Sequence, residues 1–171
     1  MVFAPIAAAY LPASWMTFAL AVSAAAATLA GLVFVAVSLN LKRILEYPNL
    51  PARAAQTLIL FVTPLITGLF LVVPGQSRTA VAWELLITGL AIGAGQVVID
   101  ARSPRSDQER PLTWIVGRVF PGVASCGCLV LSGAALLAQA AGGLYWLVPS
   151  VLVAIIFGLI NAWVLLVEIQ R

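Results

Sequence analysis

The sequence has no histidine, two cysteines, and only nine basic and six acidic residues among 171. Each scarcity excludes a class of chemistry. Without imidazole the chain lacks the commonest metal ligand and the commonest general base, so most metal-assisted and acyl-transfer mechanisms are not expected. The cysteines, Cys126 and Cys128, cannot form a framework of the secreted kind. Two residues apart on a helix they point about 200° from each other, so they cannot pair without unwinding it. Two thiolates also leave a zinc site short of ligands, and we read both as core thiols with no metal bound. There is no glycine-rich phosphate loop, nucleophile elbow or suitably spaced carboxylate pair, and Gly93-Ala94-Gly95 lacks the following glycine of a dinucleotide fingerprint. Neither an enzymatic activity nor a cofactor is expected. No internal repeat is visible, so an inverted-repeat transporter within one chain has no support.

What is present is apolar: 63% of residues are hydrophobic and 9% charged, against about a quarter charged in an ordinary soluble domain. A chain this short cannot hide that much apolar surface from water, so its exterior must face lipid. Runs long enough to cross about 30 Å of hydrocarbon fall at residues 15–39, 55–74, 80–99, 118–140 and 144–167, each near the required ~20 residues. We therefore expect an all-α, polytopic bundle of five transmembrane helices forming a single transmembrane domain over 1–171. The first run has no Lys or Arg before it and is longer than a signal-peptide core, so it is read as a span and not as a cleaved leader.

The formal charge of +3 does not point to nucleic acid, because the basic residues are scattered among short loops. They define an orientation instead. With loops 40–54 and 100–117 in the cytoplasm, eight of the nine basic residues lie inside and only Arg78 outside, which places the N-terminus out and the C-terminus in. Tyr47 to Pro51 should be a compact turn, since each proline disfavours helix in the residue before it. The stretch from Asp100 to Pro111 is the longest polar one, a solvated loop and secondarily a docking site for a partner or for anionic headgroups. Trp15, Trp83, Trp114, Trp146 and Trp163 fall at or near span ends, as in an interfacial belt.

Membrane helices associate through small and polar residues, so shared faces are informative. Ser23, Ala27 and Gly31 recur every four residues in the first span and predict a tight crossing. The third span carries Glu84, Thr88, Ala91 and Gly95 on one face and Gly89, Gly93 and Gln96 on the other, which suggests a place at the bundle centre or at a subunit interface. Ser150, Ala154, Asn161 and Glu168 align in the fifth span, and Arg118, Gly122, Ser125, Ser132 and Gln139 align more loosely in the fourth; both stripes should face inward. Pro64 should kink the second span, with Thr63, Thr67 and Gly68 accommodating the break. Glu84 lies about one turn inside the outer boundary, where a carboxylate is costly unless paired, protonated or wetted; the bland alternative is an interfacial Glu paired with Arg78. Asp100, Arg118 and Glu168 could form an ion-pair staple across the third, fourth and fifth spans, or snorkel to water.

The segment Gly31 to Ala54, GLVFVAVSLNLKRILEYPNLPARA, together with Val73-Pro74-Gly75-Gln76, resembles a pattern in an uncharacterised family of small bacterial multi-span membrane proteins. That resemblance implies a bacterial inner (cytoplasmic) membrane protein and no activity. Five spans and five tryptophans are also similar to the tryptophan-rich sensory proteins, but their opening Trp- and Pro-rich loop is not found here, so tetrapyrrole or sterol binding is not implied. The function expected first is a homo-oligomeric channel or transporter for a small solute or ion, with Glu84, Thr88, Gln96, Asn161 and Gln139 along a polar route. The alternative is an accessory subunit that binds another membrane protein through its small-residue faces. In both cases the partners are the lipid bilayer and other membrane-embedded chains.

Overall fold

The computed structural model describes residues 8–47, 49–102 and 114–170, the last three by their backbone alone. Helix α1 spans Met16–Leu39, preceded by a 3₁₀ turn over Pro12–Trp15. A short helix α2 covers Leu41–Glu46, α3 covers Leu50–Val72, and α4 covers Arg78–Arg102. A π turn over Ile115–Val119 leads into α5, Phe120–Ala138, and a 3₁₀ turn over Gly143–Trp146 leads into α6, Leu147–Gln170. Five of these units are long and apolar enough to cross a membrane: Pro12–Leu39, Leu50–Val72, Arg78–Arg102, Ile115–Ala138 and Gly143–Val167.

The second span begins five residues earlier than its hydropathy indicates. Pro51 sits in the first turn of α3, where its missing N–H would have had no partner anyway and its fixed φ suits a helix start. Helix α2 is a feature the apolar runs do not reveal. At its start the Asn40 side chain donates to Ala36 O at 2.8 Å, closing off α1, and Ile44 then drops into a cluster with Leu50, Ala54 and Leu165. Pro64 leaves α3 unbroken; Thr63 Oγ1 donates to Ile59 O, and Thr67 Oγ1 to the carbonyls of Thr63 and Pro64.

Helices α3, α4, α5 and α6 form a ring in which α4 packs along α5, and α6 lies against both α3 and α5. Helix α1 packs on the outside of this ring, along α3, and touches α6 only slightly. One apolar core joins Trp15, Leu71, Val81, Leu85, Leu129, Leu136, Leu144 and Leu147 at the end bearing the α3–α4 and α5–α6 turns. The other end carries α2, Arg53, Arg102 and Arg118 and is called the basic end below.

Close crossings set this arrangement. A Cβ on Gly68 would collide with Ser23 Oγ and come within 2.9 Å of Ala19 O, so α1 and α3 touch almost backbone to backbone. A Cβ on Gly133 would lie 2.7 Å from Ala82 O, and one on Gly158 would lie 2.7 Å from the Phe61 ring. In lipid this close approach, with its dispersion contacts, is what holds helices together.

The third span does not occupy the bundle centre. Half of the apolar window is buried in the second and fourth spans, but 22% in the third. Of its two small-residue faces only one meets a neighbour: Gly89 packs against Val130 and the Cys126 carbonyl, and Gly93 against Cys126. On the other, Ala91 and Gly95 are exposed. The first-span ridge divides similarly, with Ser23 in the crossing but Ala27 and Gly31 exposed, because the buried face of α1 runs through Ala19, Val22, Ser23 and Ala26.

Candidate functional site

The polar side chains gather at the two ends of the ring. At the basic end Pro121 is the second residue of α5. A proline there has no N–H to donate and clashes with the carbonyl four residues back. The chain meets this by widening the turn before it, so that Phe120 N–H reaches back five residues to Ile115 O. Arg118 lies in that π turn. Its Nε donates to Gln56 Oε1 at 3.1 Å and lies 3.3 Å from Asp100 Oδ1. Gln56 Nε2 donates in turn to Asp100 Oδ1 at 2.6 Å.

Three spans are thus tied by one closed polar knot. The Arg118 and Asp100 side chains are only 7% and 12% exposed and Gln56 is 3% exposed. Charges this deep persist when they are paired and their remaining groups are hydrogen-bonded. Asp100 and Arg118 are brought together as an ion pair, but the third member is Gln56 from the second span. The side chain of Glu168, expected to carry the staple to the fifth span, lies outside the described residues. Gln56 was legible only as a polar residue near the start of an apolar run. Arg118 Nη2 and Trp114 Nε1, one turn earlier, are buried with no hydrogen-bond partner among the described residues.

At the opposite end Glu84 Oε1 accepts from Gln76 Nε2, while Oε2 is buried with no partner among the described residues. Its partner is therefore Gln76, from the α3–α4 turn, and not Arg78. The Arg78 guanidinium instead faces Gln139, whose amide oxygen accepts from both terminal nitrogens once the amide is turned toward it. Gln139 ends α5 in the left-handed region, at φ 51°, a conformation that costs a non-glycine residue about 1 kcal/mol. Ala141 adopts the same region and Gly142 and Gly143 follow at positive φ. This tight reversal receives the N-terminal segment, with Leu144 N–H donating to Ala9 O at 2.9 Å.

Between the ends, Ser125 and Ser150 exchange hydrogen bonds: Ser150 Oγ donates to Ser125 O at 2.8 Å, and Ser125 Oγ to Ser150 O at 3.1 Å. They cross-link α5 to α6 and are satisfied by that. Gln96 is buried where α4 meets α5, its side chain filling the space that a Cβ on Gly122 would enter. Asn161 is buried on α6, and Thr88 is half-buried on α4. Helices α4 and α6 are not packed against one another to any extent. The five residues of the expected polar route are therefore not contiguous within one chain: Glu84 and Gln139 lie at one end, and Gln96 and Asn161 sit on separate helices.

Among the described residues no group of three or more His, Cys, Asp and Glu is placed to hold a metal ion. Cys126 is buried and packs against Gly93, with Cys128 partly exposed. No protein-family model, curated protein or solved structure matches the chain. The fold itself assigns the class: an all-helical, multi-pass membrane protein with five candidate spans.

Proposed function

We propose that this chain is an accessory subunit of a bacterial inner membrane, N-terminus out and C-terminus in, that binds another membrane protein through helix faces its own bundle leaves uncovered. The observation that carries this reading is the division of labour among its small residues. Ser23, Gly68, Gly89 and Gly133 are consumed by internal crossings. Ala24, Ala27, Thr28 and Gly31 of α1, and Ala91 and Gly95 of α4, are exposed, and a Cβ on Gly31 or Gly95 would meet nothing within 4 Å among the described residues. Small residues facing lipid allow another helix backbone to approach closely.

The test is the mass of the particle extracted with native lipid, for the wild type and for a Gly31→Leu/Gly95→Leu variant. The wild type should run above the 17.9 kDa of one chain with a second component present, and the variant, equally well folded, should run alone. A wild type that is monomeric throughout rejects the proposal.

A second reading rests on Glu84. Its Oε2 is buried without a hydrogen-bond partner among the described residues, and Glu84 and Thr88 border the uncovered face of α4. In a ring of copies with these faces toward the axis, Glu84 and Thr88 would line a shared route for a small solute or ion. A particle mass at a whole multiple of one chain, together with liposome flux that falls at least tenfold in Glu84→Gln, favours this reading over the first.

A further inference from the structure

Because α1 and α6 both lean on α3 and scarcely touch each other, an apolar cleft of about 180 Å³ opens between them. Its floor is Phe61 of α3 and its walls include Leu32, Val33 and Ala36 of α1 and Leu159 and Ala162 of α6. Leu165 belongs both to this cleft and to the cluster it forms with Ile44, Leu50 and Ala54. Helix α2 is thereby anchored beside Leu165 at the basic end of the cleft by Ile44, and Lys42 and Arg43, the two residues before that anchor, are exposed. A slot lined by apolar side chains suits a hydrocarbon chain, and two exposed cations on the short helix anchored to Leu165 suit a negative headgroup.

We propose that the cleft is a binding site for one acyl chain of an anionic phospholipid, whose headgroup phosphate is held by Lys42 and Arg43. The charge at the mouth selects this occupant over a protein helix, which would bring no fixed anion to that depth. Glu46, on the same short helix, is also exposed, and it leaves the three-residue set with one net positive charge. Arg53, in the first turn of α3, adds a further cation at the same end. The site lies apart from most of the α1 surface argued above, since at about 100° per residue Ala27 and Gly31 lie on a different side of α1 from Leu32 and Ala36, and only Thr28, one turn before Leu32, borders it.

The experiment uses the full chain in nanodiscs of mixed phosphatidylcholine and phosphatidylglycerol, with spin-labelled versions of each lipid reporting the motionally restricted population. A phosphatidylglycerol preference of roughly threefold to tenfold is expected, given about 1 kcal/mol per basic residue near an anionic surface less the offset from Glu46. Lys42→Gln/Arg43→Gln should abolish the preference without altering the fold, because both side chains are solvent-exposed. Ala162→Phe, which fills the cleft, should remove the phosphatidylglycerol excess while leaving the shell of boundary lipid around the rest of the bundle. Equal retention of both lipids by the wild type overturns the proposal. So does a preference that survives both variants, or an Ala162→Phe effect on particle mass and not on lipid, which would assign the cleft to a protein helix.

Discussion

At the residue scale the decisive feature is the Gln56, Asp100 and Arg118 knot. Arg118 Nε, the Gln56 amide and Asp100 Oδ1 satisfy one another, so removing one member leaves buried polar atoms unpaired, which costs more than the net value of the bonds themselves. Asp100→Asn should lower the stability of the bundle by about 1–3 kcal/mol, read as the denaturation midpoint in mixed micelles. Gln56→Leu should fall in the same range, and the double variant should cost less than the sum of the two, since both act on one network. Equal midpoints for wild type and Asp100→Asn would show that the pair contributes nothing. Asp100 and Arg118 were readable in the sequence as charges beside a boundary. Gln56 was not, because its side chain is drawn into the knot by the early start of α3 and by a π turn that Pro121 imposes, and neither leaves a hydropathy signal.

At the element scale the crossings depend on positions where no side chain fits. Gly68→Ala should weaken the α1–α3 contact by about 1–3 kcal/mol, the usual cost of overpacking. Combination with Ser23→Ala should recover part of that loss, because the Ser23 hydroxyl is the nearer obstruction and Ala19 O remains at 2.9 Å. Thermal melts of the single and double variants in one lipid mixture decide this; additive losses would mean that the two positions do not share a crossing. The four-residue spacing of Ser23, Ala27 and Gly31 correctly marks α1 as a helix with a small-residue ridge. It does not say which residues of that ridge are used. The buried face is rotated toward Ala19 and Ala26, and only Ser23 is common to both.

At the scale of the whole molecule the basic residues make the orientation testable. In a background lacking Cys126 and Cys128, Ser77→Cys should react with a membrane-impermeant maleimide in intact cells, and Arg102→Cys only after the membrane is opened. The reverse pattern would invert the topology and place the proposed lipid site in the outer leaflet. Replacing the native thiols should itself leave the fold intact, since Ser is smaller than Cys and Cys126 meets Gly93 by ordinary van der Waals contact.

The sequence by itself determined the class of this protein: apolar length and the near absence of charge leave lipid as the only medium for five helices, because that information is one-dimensional and each span carries its own copy. Which spans are central, which small faces are filled and which polar residues meet was decided only in three dimensions. Glu84 and Gln96 both read as members of one polar route in the chain, yet one is held by a turn residue at the edge of the bundle and the other fills the space beside Gly122. The physical reason is that lipid and protein interior are similarly apolar, so hydropathy cannot tell a face turned to a neighbour from one turned to the bilayer. Only the close packing of helix on helix makes that distinction.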